Sequence, residues 1–244
     1  MTVDQRTLAR RKALVKKFED QKKKMDVLID DEELLLMLKK GSDPSRVMVI
    51  FSGVGFGDTG VNTQTAEFTE STFTGDTFYV LDRQRTWGNG LDLERLVDTI
   101  HSASEAVDYT TLGVSMGGFL AALTAPLLGA KRAICFAAQW SVSHAVVPDE
   151  HRWDAYVKNI AAFKHPTLAE SLKHQEVDFH FFYGDAPEEV RHSRHIPDVS
   201  NVSLTVLKDC GHDVAWQLRE EKKLYPVLSS ILEGKAYIDV IEGE

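Results

Sequence analysis

The chain has 244 residues, 43% of them hydrophobic and 27% charged, with a net charge of −9 and two cysteines, Cys135 and Cys210. That balance excludes a disordered or low-complexity chain, and two cysteines are too few for a disulfide framework. No apolar run approaches the roughly 20 residues that span a bilayer, and the length suits one sizeable core.

The charge is unevenly distributed. Residues 1–25 hold nine Lys/Arg (Arg6, Arg10, Arg11, Lys12, Lys16, Lys17, Lys22, Lys23, Lys24) against three acids, a surplus of +6 that leaves −15 for the remainder. The segment reads as a helix over residues 4–25, with Leu8, Leu14, Val15, Phe18 and Met25 near one face. A basic helix ahead of an acidic body can lie on its own domain, on a second copy of the chain or on an anionic surface. The opening Met1-Thr2-Val3-Asp4-Gln5-Arg6 has no apolar stretch of the kind a secretory signal uses. With the low cysteine count, this sets a cytoplasmic expectation.

Val27–Ile29 and Leu34–Leu38 flank an acidic turn and suit the opening hairpin of a sheet, although the second run also suits a helix. Gly41–Ser45 reads as a turn, and Val47–Phe51 as a buried strand. The Gly-rich loop Ser52–Gly57 follows. It lacks the Gly-Lys-Ser/Thr ending of a phosphate-binding loop and the G-x-G-x-x-G of a dinucleotide site. Residues 58–76 are rich in Thr, Gly and Asn and read as irregular. Thr77–Leu81 is the next strand, residues 83–90 a polar loop and residues 91–104 a helix with Leu93, Leu96, Val97 and Ile100 on one face.

The next stretch carries the most chemistry. Tyr109–Leu112 is β-like, Phe119–Leu123 suits a helix, and between them stands Gly113-Val114-Ser115-Met116-Gly117-Gly118, of the form G-x-S-x-G. A sharp strand-to-helix turn of this form exposes a serine oxygen above the sheet edge. The turn is too tight for bulky side chains two residues either side of the serine, and the helix N-terminus behind it favours a developing oxyanion. Pro126 and Gly129 limit the helix, and Arg132–Ala137 is another strand.

Residues 139–177 have a looser pattern, with Trp140, His144, Trp153, Tyr156 and Phe163 among short helical pieces, and suit a small cap over the strand ends. Phe179–Tyr183 is a strand ending in Gly184-Asp185. Pro187 to His195 suits a helix, on which His192 and His195 read as solvated. Val202–Leu207 is the last strand, Asp209–Asp213 a tight loop, and Val214–Leu232 one long final helix. Alternating strands and helices predict an α/β fold: a mostly parallel, doubly wound sheet covered on both faces, with ligands at the carboxyl ends of the strands. No Cys/His spacing suits zinc, and neither metal nor cofactor is expected.

Taken together, Phe51–Gly55 after a strand, the Ser115 turn, the strand ending at Gly184-Asp185 and Gly211-His212 before the last helix resemble an α/β-hydrolase-fold serine hydrolase over roughly residues 26–235. The resemblance implies a domain spanning 26–244 with a cap at about 139–177, behind a helical extension at 1–25. It implies Ser115 as nucleophile and His212 as base. The acid is expected at Asp185, with Glu188 and Glu189 as alternatives, because Pro187 stands where this family often has its carboxylate. By analogy the N–H groups of Val54 and Met116 form the oxyanion hole, and Phe56, Trp87, Trp140 and Trp153 are candidates for the pocket wall. The implied activity is cleavage of a small-molecule carboxylic ester or thioester through an acyl-enzyme. The alternatives are acyl transfer by the same residues or an idle scaffold. No nucleic-acid partner or membrane span is expected, and the basic helix is a candidate contact between copies of the chain.

Overall fold

A computed structural model describes residues 22–55 and 64–243, together with Ala9, Lys12, Ala13, Val15, Lys16, Phe18, Glu19 and Asp20 of the N-terminal segment. The expected Leu8 and Leu14 of the apolar stripe, the charges Arg6, Arg10, Arg11 and Lys17, and Phe56 and Gly57 of the Gly-rich loop lie outside the described residues.

Eight strands form one sheet: β1 (Asp26–Asp30), β2 (Leu34–Lys39), β3 (Asp43–Phe51), β4 (Gly75–Asp82), β5 (Asp108–Val114), β6 (Arg132–Phe136), β7 (Asp178–Gly184) and β8 (Val202–Leu207). Their order is β1-β2-β4-β3-β5-β6-β7-β8. β1, β2 and β4 pair antiparallel, so the two apolar runs flanking the acidic turn do form a hairpin. Every pairing from β4 to β8 is parallel.

The central strands are buried on both sides. Val47, Val49 and Phe51 of β3 join one apolar cluster and Met48 and Ile50 the other. That period-2 split of a continuous apolar run marks a parallel strand covered on both faces. Helix α1 (Leu93–Ala103) is amphipathic and capped by the Asp92 carboxylate, which accepts from Arg95 N. Helix α2 (Met116–Thr124) has every residue buried. Its composition, MGGFLAALT, suits a helix with no solvent face.

The segment between β6 and β7 contains a four-residue helix α3 (Asp154–Val157) and one 3₁₀ turn, Ser171–Lys173. Helix α4 (Pro187–Ser193) follows β7. The single long final helix expected from the sequence is two helices, α5 (Val214–Glu220) and α6 (Leu224–Leu232). Pro226 is the reason. Inside a continuous helix it would remove a hydrogen bond and strike the carbonyl of Lys222. The chain instead closes α5 with Lys222 at φ +60°, where Lys222 N bonds Arg219 O at 2.9 Å and Lys223 N bonds Leu218 O at 2.8 Å. Pro226 then falls in the first turn of α6, where a missing N–H costs nothing. A last short helix, α7 (Ile238–Glu242), ends the fold. In the N-terminal segment the described residues up to Lys22 are helical, and Phe18 is buried in the cluster that holds Leu218, Leu224 and Val227. Among the described residues no helix is long and apolar enough to cross a membrane.

Candidate active site

The parallel register brings Phe51 level with Gly113, so the loops leaving β3 and β5 open side by side at the carboxyl edge. Ser115 sits between β5 and α2 with φ 57° and ψ −124°. That left-handed backbone is strained for a residue with a side chain, a cost of roughly 1–3 kcal/mol, and the crowding around it enforces the turn. A Cβ on Gly113 would collide with the Gly117 carbonyl, and one on Gly117 with the Phe51 carbonyl. Only glycine allows β3, β5 and α2 to meet this closely.

Ser115 is buried, and its Oγ lies 2.9 Å from His212 Nε2. His212 comes from the loop between β8 and α5, and its Nδ1 lies 2.8 Å from Glu189 Oε1. With Nδ1–H donating to the carboxylate, Nε2 is left to accept the serine proton. Glu189 is 1% exposed and stands in the first turn of α4. Burial alone would raise its carboxyl; the hydrogen bonds and charges of His212 and Arg152 outweigh that and hold it below the ordinary range.

The expectation for Asp185 is therefore corrected. Asp185 is exposed, and its Oδ1 accepts from the backbone N of Cys210 at 3.1 Å. Backbone hydrogen bonds from Asp209 and Cys210 lower its carboxyl. It shapes the loop that carries His212, whereas Glu189, one of the two alternatives, meets the ring. Glu188 offers its backbone carbonyl to Arg152 Nη2 at 3.2 Å, and its carboxylate lies beside Gly211. The signal for Glu189 lies in helical spacing. Pro187 opens α4, and Glu189, His192 and Ser193 form its buried face at i, i+3 and i+4.

His192 is a second correction. It is 1% exposed rather than solvated. Trp140 N donates to its Nδ1 at 3.2 Å, so Nε2 carries the proton given to Glu150 Oε2 at 2.8 Å. An Nδ1 that accepts marks a neutral ring, and burial lowers this histidine in the same direction.

Four further side chains, Gln139, Glu67, Gln64 and Arg85, order the serine's surroundings without any sequence signal. Gln139, fully buried after β6, donates from Nε2 to Ser115 Oγ at 3.1 Å, while its Oε1 accepts from Trp87 Nε1 at 2.9 Å. The indole fixes the orientation of the amide, and the amide occupies one lone pair of Oγ, which leaves the hydroxyl proton facing His212. On the β3 side, Glu67 Oε1 accepts from Gly53 N at 3.2 Å, Gln64 Nε2 donates to Gly53 O at 2.9 Å, and Arg85 Nε donates to Val54 O at 3.1 Å. The peptide that ends in the Val54 N–H is thus held from both sides, and the bond to its carbonyl polarises that N–H. Burial drives the Glu67 carboxyl up to about 8.

Ser115 and His212 open on a cavity of about 800 Å³, walled in part by Phe18, Phe68, Val114, Trp153, Tyr156 and Trp216. Of the aromatics expected there, Trp153 is in the wall. Trp87 is fully buried behind Gln139, and the Trp140 ring stacks on His195 at 5.8 Å. Among the described residues one group has metal-ligand geometry: His144, His151 and Asp154, exposed, with their ligand atoms within 4.8 Å of one another. Both imidazoles are already hydrogen-bonded to the Asp154 carboxylate, and none of the three lines the cavity.

No protein-family model and no curated protein matches the sequence. Solved structures do. A capsule O-acetyltransferase of Neisseria meningitidis serogroup A aligns with a TM-score of 0.59 and 16% identity, over 84% of this chain and 93% of that one. An acylaminoacyl peptidase of Pyrococcus horikoshii aligns at 0.59 and 15%, over 86% of this chain but only 41% of its own. A Bacillus subtilis carboxylesterase aligns at 0.52 and 11%, over 87% and 92%. The chain has the α/β-hydrolase fold. In the terms of that fold, Ser115 occupies the elbow after β5 and His212 the loop after β8, while the carboxylate that meets His212 comes from one helical turn past the end of β7.

Proposed function

We propose that this protein is a serine hydrolase that cleaves a carboxylic ester or thioester through an acyl-enzyme on Ser115. The observation that carries this reading is the continuous path Ser115 Oγ to His212 Nε2 at 2.9 Å and His212 Nδ1 to Glu189 Oε1 at 2.8 Å, opening on a cavity. A serine hydroxyl is a weak nucleophile until a base takes its proton, and an imidazole needs a carboxylate to fix its tautomer.

In the forward step His212 Nε2 takes the Oγ proton as Oγ attacks the substrate carbonyl. The carbonyl oxygen becomes an oxyanion received by the N–H groups of Val54 and Met116. Met116 opens α2, so its N–H is among those that have no acceptor within the helix. Collapse breaks the bond to the leaving oxygen or sulfur, which takes the proton from the imidazolium and leaves Ser115 acylated. Water then gives a proton to His212 as it attacks the acyl carbon; the bond from that carbon to Ser115 Oγ breaks, Oγ takes the proton back from the imidazolium, and the acid leaves. The aromatic part of the wall, Phe68, Trp153, Tyr156 and Trp216, favours a substrate with a hydrocarbon or aromatic portion beside the scissile carbonyl.

Hydrolysis of a panel of aryl and alkyl esters of graded acyl length tests the reading. The wild type turns over at least one series, and Ser115→Ala abolishes it without loss of fold. Wild-type turnover by folded Ser115→Ala overturns it. Product analysis with an added polyol shows whether a hydroxyl replaces water as acceptor.

A further inference from the structure

Behind Glu189 stands a second layer of charge. The Arg152 guanidinium is spread across two carboxylates. Nε reaches Glu150 Oε1 at 3.0 Å and Oε2 at 3.1 Å, Nη2 reaches Glu150 Oε2 at 2.6 Å, and Nη1 reaches Glu189 Oε1 at 3.0 Å. Glu150 is 2% exposed and takes a fourth side-chain bond from His192. Burial would raise its carboxyl, and the bonds from His192 and Arg152 overcome that and lower it. Among the described residues Arg191 also faces the pair, its Nη1 3.9 Å from Glu150 Oε2. Two carboxylates therefore face two guanidiniums, and neutral His192 adds no charge. Around His212 the other titratable groups include Asp213 beside it, Asp185, Asp209, Cys210 and Glu188 at the loop, and Glu67, Glu70, Tyr156, Arg219 and Tyr225 in the cavity wall.

Glu189 Oε1 thus takes two donors, His212 Nδ1 and Arg152 Nη1, while Oε2 has no partner among the described residues. Four of the five Arg152 N–H groups bond to Glu150, Glu189 and the Glu188 carbonyl, which ties the guanidinium to this pair of carboxylates. Arg152 also lines the cavity, with its guanidinium carbon 5.6 Å from the Trp153 ring centre, and that ring lies 5.5 Å from the His212 ring.

We propose that Arg152 is a positioning residue of the serine relay: it clamps Glu189 Oε1 against His212 Nδ1 and offsets that carboxylate's charge, thereby setting where the acid limb of the reaction falls. The proposal rests on the serine-hydrolase reading. A bare carboxylate 2.8 Å from an imidazole favours the protonated ring, and a guanidinium on the same oxygen opposes that. Removing the guanidinium moves the acid limb to higher pH. Lysine would preserve the charge and lose the fork that spans both carboxylates.

The test is the rate of fluorophosphonate labelling at Ser115 from pH 5 to 8 in the full chain, for wild type, Arg152→Lys, Arg152→Met and the pair Arg152→Met/Glu150→Gln. The pair removes one charge of each sign, so it remains informative if the single Met variant fails to fold. The limb should rise by about one pH unit in Arg152→Met, less in the pair and least in Arg152→Lys. Above the limb the rate should fall less than tenfold. A uniform loss at every pH with an unmoved limb in the folded variants overturns the role of Arg152 and leaves the hydrolase reading intact. A folded wild type that is not labelled at Ser115 overturns both.

Discussion

Among the described residues, two histidine–glutamate pairs built on a buried carboxylate have equal length and opposite fate. His212 Nδ1 meets Glu189 at 2.8 Å, and His192 Nε2 meets Glu150 at 2.8 Å. In each, burial raises an inaccessible carboxyl and hydrogen bonds outweigh it. The difference lies in the other ring nitrogen. That of His212 faces Ser115 Oγ beside a cavity, whereas that of His192 is stoppered by the Trp140 N–H. A histidine–carboxylate pair becomes a base only when its second nitrogen faces a group that has a proton to give. Otherwise it is a buried polar pair that holds the segment after β6 against α4.

The largest way to break the symmetry is at the rings themselves. His212→Gln should lower kcat/KM for ester hydrolysis by roughly 10⁴-fold with little change in melting temperature. His192→Gln should do the reverse. Breaking its bond to Glu150 should cost about 1–3 kcal/mol of stability, while kcat/KM of the folded fraction falls less than tenfold. Steady-state kinetics and thermal unfolding of the two variants separate the roles, and matched losses in both would erase the distinction.

The next effect concerns the carboxylates. Glu189→Gln should cost on the order of 10³–10⁴ in kcat, because the tautomer of His212 is no longer fixed. Asp185→Asn should stay within a few-fold, since an amide oxygen can still accept from the loop backbone. Side-by-side kinetics decide, and a severe Asp185 variant beside a mild Glu189 variant would reverse the assignment.

A smaller effect is expected at Glu67. Its folded-state carboxyl stands at about 8 because burial raises it, against an ordinary value of 4.5. Between those values the unfolded chain is ionised and the folded one protonated. The contribution of Glu67 to stability is therefore complete below about 4.5 and declines as pH rises toward 8. Glu67→Gln keeps an acceptor for Gly53 N and removes the titration. Its melting temperature should exceed wild type by a few °C, on the order expected for 1 kcal/mol, at pH 8, with a smaller difference at pH 5. Thermal scans at both values check the sign.

Much of the fold was legible in the chain because buried parallel strands are apolar runs with few alternatives, as at Val47–Phe51 and Phe179–Tyr183. Ser115 and His212 were legible because each needs a glycine-flanked turn, which leaves a local mark. Pro226 was equally local, and its breaking of the final helix could have been read from the sequence. Glu189, Gln139 and Arg152 left no such mark. The ring of His212 is met by whichever carboxylate the turn into α4 carries inward, and that depends on the path of two segments 23 residues apart. Asp185 was the carboxylate nearest the end of β7, but it spends its oxygen on the backbone of Cys210. His192 misled for a related reason. Histidine is polar enough to suit a solvated face, and only the partner across the fold, Glu150, reveals that it is buried.

The most direct test of the relay is peptide mapping by mass spectrometry after treatment with a fluorophosphonate at neutral pH. The relay predicts one adduct per chain on Ser115, formed at least 10³-fold more slowly in Glu189→Gln. An unlabelled Ser115 in the folded wild type, or equal labelling rates in the two proteins, would contradict it.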